Sequence, residues 1–301
     1  MDEPHQPGAP DPAMSAGPAG SDPTDRRLRV AALIAGEPHG PELWTLRSIV
    51  EAACELHVVQ AAGVRTVPRL KRARSLLRDY GPFHTASRVI GNRLIASREE
   101  ARTRRILDEL FDVHELREWW ARSGVGTIEV PSLNHEDSRR ALARIAPDVI
   151  VRVSGGILKP HIFSLARLAT LNIHHGQAPA IRGMWSIPWG IIAHRRDWIG
   201  ATVHLIDAGI DTGAVLWRGA PQLAPGDTAV QLHFRAHLEA VAALARILES
   251  YARGEPPPPW PVPPDETSTY RTAPGLWAWL RLLALGRGRR ARVLVERGIA
   301  W

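Results

Sequence analysis

Two short apolar runs separated by one helical stretch constrain the fold most. Leu28–Ala35 reads LRVAALIA, an apolar run of strand length that stops at Gly36. A helical pattern follows from Glu42 to Glu55, and His57–Gln60 is again strand-like. Strand, turn, helix, strand is the opening of an open α/β sheet. The pattern resumes downstream: Gly126–Val130 and Asp148–Val153 read as strands, with a helix from His135 to Ile145 between them that Asn134 or Asp137 would cap. A helix from Thr228 to Tyr251 closes the sheet. The loop after the first strand, Gly36-Glu37-Pro38-His39-Gly40, is no Gly-x-Gly-x-x-Gly fingerprint, so a nicotinamide dinucleotide has no support.

The 301 residues suffice for one large domain or two small ones. The formal net charge is +7 and is carried almost entirely by arginine, the lysines being Lys71 and Lys159 alone. Such a balance suits anionic partners, but it equally follows from a GC-rich coding sequence. Cys54 is the single cysteine, which excludes an intrachain disulfide and a cysteine metal cluster, and it reads as a buried structural thiol. Residues 1–27 are rich in Pro, Gly, Ala and Asp and are expected to be disordered, with neither a signal peptide nor an anchor; Met14 offers an alternative start. No run of about 18 apolar residues occurs, so a cytoplasmic protein without a transmembrane segment is expected. Residues 66–122 look like a helical, Arg-rich insertion whose charges form a solvated face. The segment 253–301 reads as a Pro-rich linker and a basic, Trp-rich extension. Its cluster of Trp277, Trp279, Leu280, Leu282 and Leu283, followed by arginines within 287–292, fits packing on the domain or a homodimer contact equally, and both ahead of an interfacial membrane helix.

Chemistry concentrates between Leu171 and Leu216. Asn172 and His174 end a β-branched run, Pro179–Gly183 forms a turn, an apolar helical block follows, then a strand from Ile199 to Ile206 and the loop Gly209–Gly213 with Asp211. An amide, an imidazole and a carboxylate at element ends can polarise a carbonyl, move a proton and hold the imidazole in its working state. Because ligands sit beyond the carboxyl ends of strands in open α/β sheets, all three are expected on one rim.

The stretch resembles the folate-dependent formyltransferase family. The matching pieces are Asn172-Ile173-His174, Ala178-Pro179-Ala180-Ile181-Arg182-Gly183, Gly200-Ala201-Thr202-Val203-His204 and Asp211-Thr212-Gly213, in the family's order and spacing. The resemblance implies a Rossmann-like, mostly parallel sheet over residues 28–252 and 10-formyltetrahydrofolate as the formyl donor, without a metal. It implies Asn172, His174 and Asp211 as the catalytic trio: the amide for the oxyanion, the imidazole for the same oxygen or the proton, the carboxylate to steady the imidazole or take a proton through water. Gly155, Gly156, Ile157 and Leu158 are implied as folate-pocket residues, with Thr202, His204, Gly209, Ile210 and Gly213 as support on the folate side. Arg182, Gly183 and Trp185 are implied on the acceptor side, where Trp189 and Trp198 form either an aromatic wall or part of the core. Two departures lie there: His175-Gly176 stands where many relatives carry Pro-Ser or Ala-Ser, and Ala178 replaces a leucine.

Within that resemblance the acceptor follows by elimination. The acidic loop at Glu37 does not suit the phosphate of glycinamide ribonucleotide. About 50 residues after Tyr251, Pro-rich and helical, do not suit the C-terminal barrel of methionyl-tRNA relatives. A small-molecule primary amine, foremost a nucleotide-linked amino sugar, remains, and DNA is not expected. Methionyl-tRNA formylation, formyltetrahydrofolate hydrolysis and a catalytically silent interaction or membrane-surface module are the alternatives.

Overall fold

Strand β1 (Arg29–Ala35) is apolar from Val30 onward because the sheet buries both of its faces. The computed structural model describes residues 27–52, 54–61, 105–223, 227–263 and 265–286, together with residues 74, 77, 78, 81–83, 85–87 and 103. β1 lies between β2 (Glu55–Ala61) and β4 (Val149–Arg152), parallel to both. The seven-stranded sheet has the order β3-β2-β1-β4-β5-β7-β8, with β3 at Thr127–Val130, β5 at Ala169–His174, β7 at Ala201–Leu205 and β8 at Val215–Gly219. The first five strands of that order are parallel, whereas β7 is antiparallel to β5 and β8 to β7. The chain thus reverses its direction of travel across the sheet between β1 and β4, the kind of switch point beside which α/β proteins place ligands.

Alternate residues of β1 feed two cores. Val30 packs with Ile49, Val149, Val151, Leu171, Ala201 and Val203 under the long helix α6 (Ala229–Ala252), whose Leu232, Ala236, Ala240, Ala243, Leu244, Ile247 and Leu248 make one apolar stripe. Ala31 and Leu33 pack with Val59 and Ile150 under α3 (Glu136–Ile145) and the short helix α4 (Pro160–Phe163). α6 begins where the sequence suggests, because Thr228 and Gln231 form a reciprocal capping box.

Several local expectations are corrected. Helix α1 (Gly40–Glu51) ends four residues before Glu55, because Glu55 already donates its N–H to Leu28 and starts β2. The cap of α3 is neither Asn134 nor Asp137 but His135, whose Nδ1 accepts from the Asp137 N–H at 3.2 Å. Asn134 instead ties the turn after β4, donating to Ile157 O and accepting from Lys159 N. Cys54 is buried, and burial pushes its thiol up to about 12, as suits an inert structural group. Of the insertion, helix α2 (Val113–Arg122) and the helical residues 105–111 are described, while most of 62–104 lies outside the described residues, as do residues 1–26 and 287–301.

The C-terminal segment is not the plain linker and helix that its composition suggests. Trp260 donates its N–H to Val215 O at 2.7 Å, and Arg218 of β8 makes a bidentate pair with Glu266. Strand β9 (Thr269–Arg271) then pairs in parallel with β6 (Ile181–Gly183), forming a second, two-stranded sheet. Helix α7 (Leu276–Gly286) buries Trp279 and Leu285 while Trp277 stays 71% exposed. No helix among the described residues is long and apolar enough to cross a membrane.

Candidate active site

Asn172 and His174 are two apart on β5, so their side chains leave the same face of the sheet. Directly across the antiparallel junction, His204 of β7 faces Asn172, and Thr202 faces His174. On the other side, Arg152 of β4 is in register with Asn172 and gives its Oδ1 a hydrogen bond of 2.5 Å. A guanidinium can only donate, so this contact fixes the amide: Oδ1 toward Arg152, Nδ2 toward His204 at 2.9 Å. His204 Nε2 therefore accepts from Asn172, and its Nδ1 donates to Leu205 O at 2.7 Å. His204 Nε2 also lies 3.6 Å from Asp211 Oδ1, but the shorter contact decides the tautomer. One N–H of the Asn172 amide is used by His204, and the second has no hydrogen-bond partner among the described residues.

Asp211 closes the cluster from the loop between β7 and β8. Because β7 runs antiparallel to β5, Asp211 does not follow a strand that ends beside His174. It reaches the site through its own loop, and the Gly183 N–H of β6 holds its Oδ2 at 2.9 Å. The same oxygen lies 3.3 Å from His174 Nδ1. Burial pushes the Asp211 carboxyl up; the rings of His204 and His174 and the Gly183 N–H push it down further, to about 2. It is a carboxylate at any working pH. Burial lowers the His174 pKa, and the nearby His204 and Arg152 act in the same direction against Asp211 and the Ile181 carbonyl. His174 Nε2 lies 3.2 Å from Ile181 O and 3.3 Å from Ser186 Oγ. An imidazolium formed transiently would thus find an acceptor on each nitrogen: Asp211 on Nδ1 and Ile181 O on Nε2.

The formyl transferase domain signature matches residues 84–248, more than half of the chain. The chain belongs to the formyl transferase family. A methionyl-tRNA formyltransferase of Aromatoleum aromaticum is 33% identical over 133 residues, which are 44% of this chain and 42% of that one. Another of that name from Pseudomonas paraeruginosa is 34% identical over 130 residues, covering 40% and 42%. The chain therefore spans less than half the length of these relatives. A sugar N-formyltransferase of a Shewanella species shares the fold, with a TM-score of 0.50 at 15% identity over 81% of this chain and 76% of that one.

The other residues implied by the formyl transferase resemblance fall into two groups. Ile157 and Ile210 are large apolar side chains left 65% and 38% exposed, one on the turn after β4 and one beside Asp211. Gly156 leaves open space, while Gly155, at φ +120°, packs so closely that a Cβ would meet Leu133 at 2.8 Å. Trp185 is half-exposed and edge-on to Trp279. The remainder turn inward. Leu158 is buried with Ile162 in the core under α3 and does not face the cleft, because the turn after β4 rotates it into the sheet. Thr202 is fully buried, donating to Gly176 O and accepting from Ala178 N, so it staples the turn after His174. Gly209 bonds Asp207 within its loop, and Gly213 lies where a Cβ would clash with Leu205 O. Arg182 spends its Nε on Ser268 Oγ and its Nη1 on Ile210 O, tying the C-terminal segment to the Asp211 loop. Trp189 and Trp198 are core rather than an open wall, capped by the Arg271 guanidinium at 5.2 and 5.8 Å from their rings. Gly176, a departure from the family pattern, leaves the space in which Ser186 approaches His174: a Cβ there would lie 2.5 Å from Ser186 Cβ and 2.7 Å from His174 Nε2. Arg152 escaped the sequence reading, although a cation inside the apolar run Asp148–Val153 was a visible signal.

Behind the site, on the opposite face of β5, His175 stacks on His233 at 3.9 Å and bonds His237 Nδ1 at 3.1 Å, while His237 Nε2 meets Thr45 Oγ1 at 3.1 Å. Burial and mutual repulsion lower the pKa of His175 and take His233 down to about 3; burial takes His237 down to about 4. Unfolded histidines titrate near about 6.5, so between that pH and about 4 the unfolded chain binds more protons than the folded one. Stability is therefore full above about pH 6.5 and falls as the pH drops, by up to about 1.4 kcal/mol per unit for each histidine. Thermal midpoints measured from pH 7.5 to 4.5 should show this acid limb, and His233→Gln should make it shallower; parallel curves would contradict the assignment.

Proposed function

We propose that this chain transfers a formyl group from 10-formyltetrahydrofolate to a primary amine of a small molecule, with a nucleotide-linked amino sugar as the leading acceptor class. The observation that carries this reading is the convergence of Asn172, His174 and Asp211 on one point of the sheet, with the carboxylate held ionised at about 2. The exposed apolar side chains of Ile157 and Ile210, on the turn after β4 and beside Asp211, fit the flat, largely apolar body of a pterin. When bound, the folate supplies the formyl carbon on its N10.

The chain's own residues then divide the work. The unused N–H of Asn172 takes the carbonyl oxygen as it gains charge when the amine attacks. Asp211, the more exposed of the pair at 15% against 7% for His174, receives the amine proton directly or through one water and shares it with His174 Nδ1. That proton goes back to N10 as the bond from N10 to the formyl carbon breaks, so the transfer leaves no net proton. The catalytic unit in this reading includes the C-terminal segment to residue 286, because β9 and Ser268 hold Gly183 and Arg182 in place.

Calorimetric titration with a stable 10-formyltetrahydrofolate analogue tests the donor. Micromolar binding, about −8 kcal/mol, is expected. Acceptors are then screened by formyl transfer, with nucleotide-linked amino sugars first and initiator methionyl-tRNA included because the sequence relatives carry that name. No binding at millimolar analogue, with or without acceptors, would sink the proposal and favour a catalytically silent interaction module.

A further inference from the structure

Arg152 is a cation at the carboxyl end of the parallel strand β4, between the core residue Val151 and the partly buried Val153. Its Nε donates to Gly156 O at 2.9 Å, its Nη2 to Gly155 O, and its Nη1 to Asn172 Oδ1 at 2.5 Å. Among the described residues no carboxylate forms an ion pair with it. A largely buried guanidinium that spends its donors on two carbonyls and one amide is a costly way to close a turn, since neutral side chains could do so without desolvating a charge. Burial accordingly lowers its pKa, with Asp211 acting in the opposite direction.

What the guanidinium uniquely provides is a donor-only group against Asn172. An asparagine amide can turn over, exchanging its oxygen and nitrogen at little cost unless a neighbour forbids it. His204 alone does not forbid it: Leu205 O favours the proton on Nδ1, but the Asp211 carboxylate, 3.6 Å from Nε2, would draw it to the other nitrogen, and the ring then donates to a flipped amide. Arg152 does: a flipped amide would set N–H against N–H. With Oδ1 held, Nδ2 must face His204, His204 must carry its proton on Nδ1, and Leu205 O receives it. The second N–H of Nδ2 is then pinned in one direction. We infer that Arg152 is a positioning residue for the formyl-transfer centre: it fixes the Asn172 amide and, through it, the His204 tautomer, so that one N–H always points at the reacting oxygen. This inference rests on the formyl-transfer reading for its kinetic consequence, but not for its structural one.

Two measurements on the full chain keep those separable. The first reads the imidazole nitrogens of His204 by heteronuclear NMR, with His204→Gln assigning the signal. Wild type should show the Nδ1–H tautomer alone. Arg152→Met, which keeps an unbranched apolar stem and removes every donor, should show both tautomers. An unchanged His204 signal would overturn the inference whether or not any acceptor has been found. The second is a double-mutant cycle on turnover. Arg152→Met should lower kcat roughly tenfold to a hundredfold, with the acceptor KM within about twofold, as for a misdirected oxyanion donor. In an Asn172→Ala background the same change should cost less than about twofold, because the amide it positions is gone. Costs that multiply would mean that Arg152 acts on the turn alone, and the inference fails. If Arg152→Met does not fold, Arg152→Leu, equally without a donor, is read by the same spectrum, and a fixed Nδ1–H tautomer there equally refutes it.

Discussion

Asp211→Asn is expected to lower the turnover of formyl transfer by about a thousandfold, in the range of losing a general acid–base group. The amide is nearly isosteric and still offers an oxygen to the Gly183 N–H, so β6 and the loop keep their anchor. What is lost is the negative charge. Without it nothing at the cleft takes the amine proton, and the opposition to burial that Asp211 supplies at His174 disappears, leaving that ring harder still to protonate. A stability signature goes with the kinetic one. Because the folded carboxyl is held below its ordinary value, at about 2, its contribution is present above about pH 4 and is lost as the pH falls toward 2. The substitution should thus cost roughly 2 kcal/mol at pH 7 and about a third of that near pH 2.5, where the unfolded carboxyl is already protonated and the folded one is beginning to be. Turnover at saturating donor, with thermal midpoints at both pH values, checks the two parts. A variant that retains a tenth of the activity would remove Asp211 from the chemistry.

The sheet was legible because its strands are apolar runs of strand length separated by helical repeats, and such patterns survive without tertiary help. The trio was legible because it lies within 40 residues of sequence, from Asn172 to Asp211. Three things were not. The direction of β7 is set by pairing with β5 across the intervening helix α5 (Ser186–Ala193), and no residue of Ala201–Leu205 encodes it. The reach of Arg152 depends on the register that sets it beside Asn172, although its charge within an apolar strand marked it as odd. Strand β9 is three residues long, Thr269–Arg271, behind a proline-rich stretch, and it exists only because β6 offers an edge. Short strands carry little propensity of their own, so composition pointed to a linker. The same blindness explains Thr202 and Leu158: their place in the family pattern suggested a pocket, and only packing reveals that Thr202 staples a turn and Leu158 fills the core.

Truncation after Glu255 should abolish binding of the folate analogue and lower the thermal midpoint by about 10 °C or more. Composition presents this segment as an appendage with its own task, but its contacts make it part of the site. Removing it uncovers the edge of β6, whose Gly183 N–H holds Asp211, and deletes the Ser268 hydroxyl that steadies Arg182 against the Asp211 loop. It strips the partner from Arg218, which pairs with Glu266 at 2.7 Å while both are largely buried, and leaves Trp189 Nε1 without the Thr272 carbonyl. It also deletes Trp279, whose lost burial alone is worth about 3–5 kcal/mol by comparison with large-to-small core changes. At about 2–4 °C per kcal/mol for a domain of this size, that single contribution accounts for roughly 10 °C. Trp279→Ala in the full chain separates packing from pairing. It should reproduce much of the thermal loss while β9 stays on β6, and so should weaken analogue binding far less than the truncation does. A truncated protein that melts and binds like the full chain would restore the segment to an independent role and detach Asp211 from the support argued for it.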